Sequence, residues 1–220
     1  MIYCIGDSFT YGDELPDRNL AWPMLLGNLL NESTVNLGKC ATGNTRIIKR
    51  TLDLVINKTP DLKIICVWSS PERHEFADEH GIYDVWPARS VQVWNNTSSY
   101  RKILTDYVTD HHHVEWAYSN WLRQIILTQT FLKTNNIPYY MFNAFTPMAM
   151  YHELDSTLKE RYTRHREFID FSRYLAKPYD SFVQWAYHCP RGPGGHPLEE
   201  GHRVIAENIY KTINERGWDL

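Results

Sequence analysis

Residues 62–68 read LKIICVW, a near-continuous apolar run from Leu62 to Trp68. A strand with one wet face alternates apolar and polar residues, whereas a strand covered on both faces does not. The run therefore reads as a central strand of a parallel sheet. Working outward, Ile2-Tyr3-Cys4-Ile5 forms an earlier strand, Thr34-Val35-Asn36-Leu37 a short second one, and Pro138 opens a later one, PYYMFNAF.

Helical patterns fill the spaces between these runs. A helix is expected near Asn19 to Leu30, with Pro23 tolerable if the helix proper starts about there. Over Asn44 to Asn57 the residues Ile48, Leu52, Val55 and Ile56 share one helical face. Tyr118, Leu122, Ile125 and Leu132 mark a helix over Val114 to Thr134. Two more helical stretches are expected at Leu154–Leu175 and Tyr179–His188, and a last one at Leu198–Glu215, where Gly201, Ile205, Ile209 and Ile213 recur four apart. Strands alternating with helices imply an α/β fold, a parallel sheet with helices on both faces. Glu72 to Asp110 breaks the rhythm: it is rich in Trp, His, Asn and Ser, and reads as an insertion on the scaffold, at about 72–110.

Bulk properties narrow the function classes. A chain of 220 residues with 43% hydrophobic content reads as one globular domain, 1–220. A net charge of −3 gives no reason to expect nucleic acid or an anionic membrane as partner. Cys4, Cys40, Cys66 and Cys189 show no paired spacing; Cys4 and Cys66 lie in strand-like runs and fit a reducing compartment. No signal peptide is expected, because the first strand begins at residue 2, and no apolar run approaches the ~20 residues of a membrane span. The expectation is a soluble, cytoplasmic protein, with Asn95-Asn96-Thr97 an accidental glycosylation match. The run Asp110-His111-His112-His113 reads as a solvated helix start, since adjacent helical residues point about 100° apart and cannot face one metal ion.

In a parallel sheet of this kind, ligands sit beyond the carboxyl ends of the strands. Three loops reach that rim, carrying Ser8, Gly43 and Ser70. A serine nucleophile needs a base within hydrogen-bond reach and donors where an oxyanion develops. Of ten histidines, His196 has the suitable setting, in PGGHPLEEGHRV, after glycines and before Pro197 and the final helix. His202, on that helix, reads as structural, and Asp7 as a turn residue bonding local amides.

The ordered set Gly6-Asp7-Ser8-Phe9-Thr10-Tyr11-Gly12, Asn36-Leu37-Gly38 through Gly43-Asn44-Thr45, and His196-Pro197 resembles the SGNH (GDSL-type) serine hydrolases. The resemblance implies a three-layer α/β/α sandwich with a doubly wound, flavodoxin-like parallel sheet. It implies Ser8 as nucleophile, His196 as general base, and the backbone N–H groups of Ser8 and Gly43 in an oxyanion hole. No metal or organic cofactor is then required. Some bacteriophage-encoded proteins look similar in their third block, an origin that would place the chain in a virion or an infected cell.

Two positions depart from the family pattern. Where the third block carries an oxyanion-donating Asn, this chain has Ser70, within Trp68-Ser69-Ser70-Pro71. Ser70 as a third oxyanion donor, or Asn44 or Arg73 as substrate-binding residues, must then compensate, or activity is low. Where an Asp precedes the histidine by three residues, this chain has Pro193. The site then reads as a Ser–His dyad, unless a backbone carbonyl, Asp180, Glu199 or Glu200 takes the acid's place. The expected function is hydrolysis of a carboxylic ester, an acetyl or similar small acyl ester of a small molecule, carbohydrate or lipid. The insertion, with Tyr83, Trp86, Trp94 and Tyr100, is expected over the rim, setting substrate choice. The alternative is a catalytically weak or inactive binding or structural module on the same scaffold.

Overall fold

A computed structural model describes residues 1–79, 81–85, 106, 113–146, 160, 163–175 and 181–218. The chain enters through β1 (Ile2–Ile5), followed by the one-turn α1 (Ser8–Tyr11), a 3₁₀ turn at Arg18–Leu20, α2 (Trp22–Leu30), β2 (Thr34–Asn36) and α3 (Asn44–Ile56). Next come β3 (Lys63–Trp68), the strands β4 (His74–Asp78) and β5 (Gly81–Val85), α4 (Val114–Thr134) and β6 (Tyr139–Asn143). The short α5 (Phe182–Trp185) and the long α6 (Glu199–Arg216) complete the described elements.

The main sheet has the order β2-β1-β3-β6, and every pairing in it is parallel. Ile2 lies opposite Thr34 on one side and Lys63 on the other, and Ile64 opposite Tyr139. A parallel bridge between Met141 and Tyr174 extends the sheet beyond β6. The chain leaves β1 for β2 on one side and returns to β3 on the other, so the strand order reverses at β1. Clefts in doubly wound sheets open at such a reversal, and Ser8 follows β1 directly.

Strand periodicity divides the core into two layers. Ile64, Cys66 and Trp68 of β3 pack with Tyr139 and Met141 against α3 and α4, through Ile47, Tyr118, Trp121, Leu122 and Ile125. Ile65 and Val67 pack with Tyr140 and Phe142 on the opposite face, against Trp22 and Leu26 of α2 and Ile205, Ile209 and Ile213 of α6. Every residue from Ile64 to Trp68 is fully buried, which is why LKIICVW carries no polar alternation. The result is a three-layer α/β/α sandwich.

Local signals set the element ends. Pro23 falls in the first turn of α2, where its missing N–H costs nothing, and the preceding Asn19 region is a 3₁₀ turn rather than part of the helix. The expected helix over Leu154–Leu175 is reduced, in its described part, to a turn of helix and irregular chain after residue 163. The insertion begins as an antiparallel hairpin, β4 with β5, an element the mixed sequence pattern did not announce. Trp86, Trp94, Tyr100, His111 and His112 lie outside the described residues. His113 caps α4, accepting from the Trp116 amide. Among the described residues, no helix is long and apolar enough to cross a membrane.

Candidate active site

Ser8 is the first residue of α1, placed by a tight exit from β1. Asp7 caps the turn, its Oδ1 accepting from the Phe9 amide at 3.0 Å. Gly6 has no room for a side chain: a Cβ there would fall 2.2 Å from Thr10 Oγ1 and 3.0 Å from Val67 Cβ. The turn ends at Gly12, whose φ of 83° is left-handed. The second loop locks onto it from below. Asn36 Nδ2 donates to the Thr10 carbonyl at 2.9 Å, and a Cβ on Gly38 would lie 2.3 Å from the Tyr11 nitrogen.

His196 reaches Ser8 from the other end of the chain. Its Nε2 stands 2.9 Å from Ser8 Oγ. The loop that carries it closes on itself, with Gly192 N–H donating to the His196 carbonyl at 2.9 Å and Gly195 N–H to the Gly192 carbonyl at 2.9 Å. The Phe9 ring lies against the imidazole at a centroid distance of 5.6 Å, and Phe145 packs edge-on to Phe9 at 5.2 Å. Ser8 is 4% exposed, and the His196 side chain is mostly covered, so the pair sits at the floor of the rim.

The other ring nitrogen has a partner that the sequence reading did not name. Glu14 Oε2 stands 2.9 Å from His196 Nδ1. The same carboxyl accepts the Gly194 amide at 2.6 Å on Oε1 and the His196 amide at 3.0 Å on Oε2. Burial pushes the Glu14 pKa up, but those two amides and the imidazole outweigh it and hold the carboxyl below its ordinary range. Glu14 adopts φ 67°, a left-handed conformation that costs a non-glycine residue roughly 1–2 kcal/mol. Asp13 Oδ2 lies on the serine side of the ring, 3.8 Å from Nε2. Asp180 is outside the described residues, and Glu199 and Glu200 are exposed in the first turn of α6.

The remaining expected site residues fall around this centre. Gly43 precedes α3, and its N–H donates to Asp84 Oδ1 of β5 at 3.3 Å. Asp84 in turn pairs with Arg46 at 3.3 Å, beside the Arg46–Glu75 pair at 2.7 Å. Ser70 Oγ accepts from the Glu72 amide at 3.4 Å. Arg73 Nη1 lies 3.4 Å from Asp7 Oδ2, with its guanidinium carbon 5.0 Å from the Phe145 ring centre. Asp7 is fully buried; burial raises its pKa, opposed by Arg73 and by the Ser69 hydroxyl, which donates to Oδ2 at 2.8 Å.

Asn44, expected to touch substrate, is 2% exposed, and its amide is bonded to the third loop. Its Oδ1 accepts from Ser69 N–H at 2.8 Å, and its Nδ2 donates to the carbonyls of Ser69 and Ser70 at 3.3 and 3.1 Å. Asn44 shapes the rim from beneath. His202 is structural as expected: fully buried, it accepts from Trp22 N–H on Nδ1, and burial lowers its pKa to about 4.

The three-layer α/β/α sandwich recurs in several solved structures. In structure the chain is similar to TesA at 10% identity, with a TM-score of 0.55 over 97% of this chain and 98% of that one. It is similar to a catalytic mutant of Axe2, an acetylxylan esterase from Geobacillus stearothermophilus, at 12% identity and TM-score 0.52, over 99% and 94%. A two-domain esterase active on acetylated mannans matches at 12% identity and TM-score 0.51, over 97% of this chain and 48% of that one. In sequence, residues 13–218 match the model of DUF6071, a family of unknown function, and the chain belongs to that family. Comparison with the curated proteins finds no match.

Proposed function

We propose that this protein is a serine hydrolase that cleaves a carboxylic ester, an acetyl or similar small acyl ester, through an acyl-enzyme. The observation that carries the reading is the 2.9 Å approach of His196 Nε2 to Ser8 Oγ, across 188 residues of chain. A hydroxyl held at that distance by an imidazole is an activated nucleophile. Ser8 Oγ attacks the ester carbonyl while His196 Nε2 takes its proton. The proton then passes to the departing alkoxide, and the ester C–O bond breaks. A water molecule, deprotonated by the same nitrogen, attacks the acyl-serine; the acyl C–Oγ bond breaks as Nε2 gives that proton to Ser8 Oγ, and the carboxylic acid leaves.

The oxyanion donors are the backbone N–H groups of Ser8 and Gly43, with the Ser70 hydroxyl as a third. Gly43 N–H points at a carboxylate oxygen of Asp84, so a donor directed at negative charge is already formed there. Arg73 orients the substrate from the aromatic wall of Phe9 and Phe145. That two of the structurally similar proteins carry esterase names with acetylated polysaccharides in them supports an O-acetylated carbohydrate as the substrate class.

The Asp84 contact also favours a second reading, a catalytically weak module whose Gly43 donor is held by its own insertion. Turnover of p-nitrophenyl acetate separates the two. On the hydrolase reading the wild type turns the ester over and Ser8→Ala, folded by circular dichroism, does not. Equal rates in the two proteins would overturn it.

A further inference from the structure

We propose that Glu14 is the acid partner of His196, a positioning residue supplied by the nucleophile's own loop rather than by the histidine's. This deepens the hydrolase reading and rests on it. A Ser–His pair needs something on the second ring nitrogen to hold the productive tautomer and to stabilise the imidazolium. Glu14 Oε2 occupies that place at 2.9 Å from Nδ1, and the position three residues before the histidine, Pro193, has no side chain able to do so.

The surrounding loop is built to receive this carboxylate. The carboxylate accepts two backbone N–H groups, from Gly194 on Oε1 and from His196 on Oε2, so both of its oxygens are held. Gly192 and Gly194 face it so closely that a Cβ would lie 2.6 Å from the Glu14 carboxyl at position 192 and 3.1 Å at position 194. The backbone of Glu14 itself is left-handed, a conformation sustained only where its surroundings demand it. One side chain thus ties the first loop, which carries Ser8, to the last loop, which carries His196. The proton path follows: Nδ1–H donates to Oε2 throughout, Nε2 passes the Ser8 proton to the leaving alkoxide and later hands the water's proton to Ser8 Oγ, and Glu14 stays ionised.

Asp13 is not an equivalent candidate. It faces Nε2, the atom that must exchange protons with Ser8, at 3.8 Å, beyond hydrogen-bond reach. Among the described residues, Asp13 approaches the ring at 3.8 Å, and Asp7 and His202 interact electrostatically with it; a change at Glu14 leaves all three in place.

The test compares wild type, Glu14→Gln and Glu14→Asp with p-nitrophenyl acetate across pH. Glu14→Gln should lower kcat/KM by about 10²–10⁴-fold, as loss of an orienting carboxylate does in serine hydrolases. Its pH–rate profile should also change on the acidic side, because the imidazolium formed during the reaction loses a neighbouring anion. Glu14→Asp, which keeps the charge, should regain part of the rate and return the profile toward wild type. A merely structural residue would lower the rate without changing the profile. Independently of turnover or variant folding, ¹⁵N-histidine spectra of the wild type, assigned with His196→Ala, should show His196 protonated on Nδ1. A wild-type rate and profile in Glu14→Gln, or the Nε2-protonated tautomer in the wild type, would overturn the assignment. A wild type with no turnover that nevertheless shows the Nδ1 tautomer would sink the hydrolase reading and leave the Glu14 contact standing.

Discussion

Gly192 and Glu14 occupy nearly the same space: an ideal Cβ on Gly192 would lie 2.6 Å from Glu14 Cδ and 2.7 Å from each carboxyl oxygen. What it would strike is the end of a flexible side chain rather than backbone. Gly192→Ala should therefore push the carboxyl off His196 Nδ1 and leave the fold intact. The expected result is a loss of kcat/KM of about tenfold or more, within the range for a disturbed orienting acid, with a thermal midpoint close to wild type. A wild-type rate would show that the glycine loop does not control the acid.

Asp84 competes for the Gly43 amide. If that amide serves the oxyanion, a carboxylate 3.3 Å away both occupies the donor and repels the developing charge. Asp84→Ala should raise kcat/KM on short esters by on the order of tenfold, a fraction of the about 10²–10³ that one donor supplies. Arg46 keeps Glu75 as its partner at 2.7 Å, which limits the cost to the fold. An unchanged or lower rate in a folded variant would remove Gly43 from the hole.

Asn44 is predicted to matter for stability first. Asn44→Ala leaves the buried Ser69 N–H without its acceptor at 2.8 Å and the Ser69 carbonyl without the Asn44 donor, while the Ser70 carbonyl keeps the Arg73 N–H at 3.1 Å. An unsatisfied buried group costs about 1–3 kcal/mol, and each kcal/mol lowers the midpoint of a chain this size by roughly 2–4 °C. Thermal unfolding reads this directly. A midpoint within error of wild type would show that the third loop is held by other contacts.

Glu14 also links folding to pH. Its carboxyl is held below the ordinary range in the folded protein, so its contribution to stability is fully present above the unfolded-state pKa. The contribution is lost as pH falls through the lowered folded value. The midpoint difference between wild type and Glu14→Gln should thus be largest near neutrality and shrink as pH falls below the ordinary carboxylate range. A difference that stayed constant with pH would contradict the ionised contact.

The parts of this fold that read directly from sequence are those where one local pattern carries the information. The unbroken apolarity of Leu62–Trp68 reflects burial on both faces, and the spacing within Val114–Thr134 reflects one helix against one side of the sheet. Ser8 and His196, which approach to 2.9 Å, stand out in the sequence because each sits in a distinctive turn. Glu14 does not, because its contact with His196 spans 182 residues and nothing local marks it. The available signal was indirect: Pro193 excludes an acid at the usual place, and Gly192 and Gly194 leave an opening that a carboxylate from elsewhere can fill. The bonds of Asn44 to Ser69 and Ser70 were not legible, because they depend on the tertiary approach of β3 and α3. The β4–β5 hairpin was hidden by its polar residues, Glu75 and Asp84, which face each other in register and meet Arg46 of α3.

The most direct measurement is covalent labelling of the intact protein with a fluorophosphonate, with the modified peptide located by mass spectrometry. Activation of Ser8 by His196 predicts one label per chain on the peptide carrying Ser8, none in Ser8→Ala, and much slower labelling in His196→Ala. An unlabelled wild type, or labelling of Ser8 at the same rate without the imidazole, would contradict it.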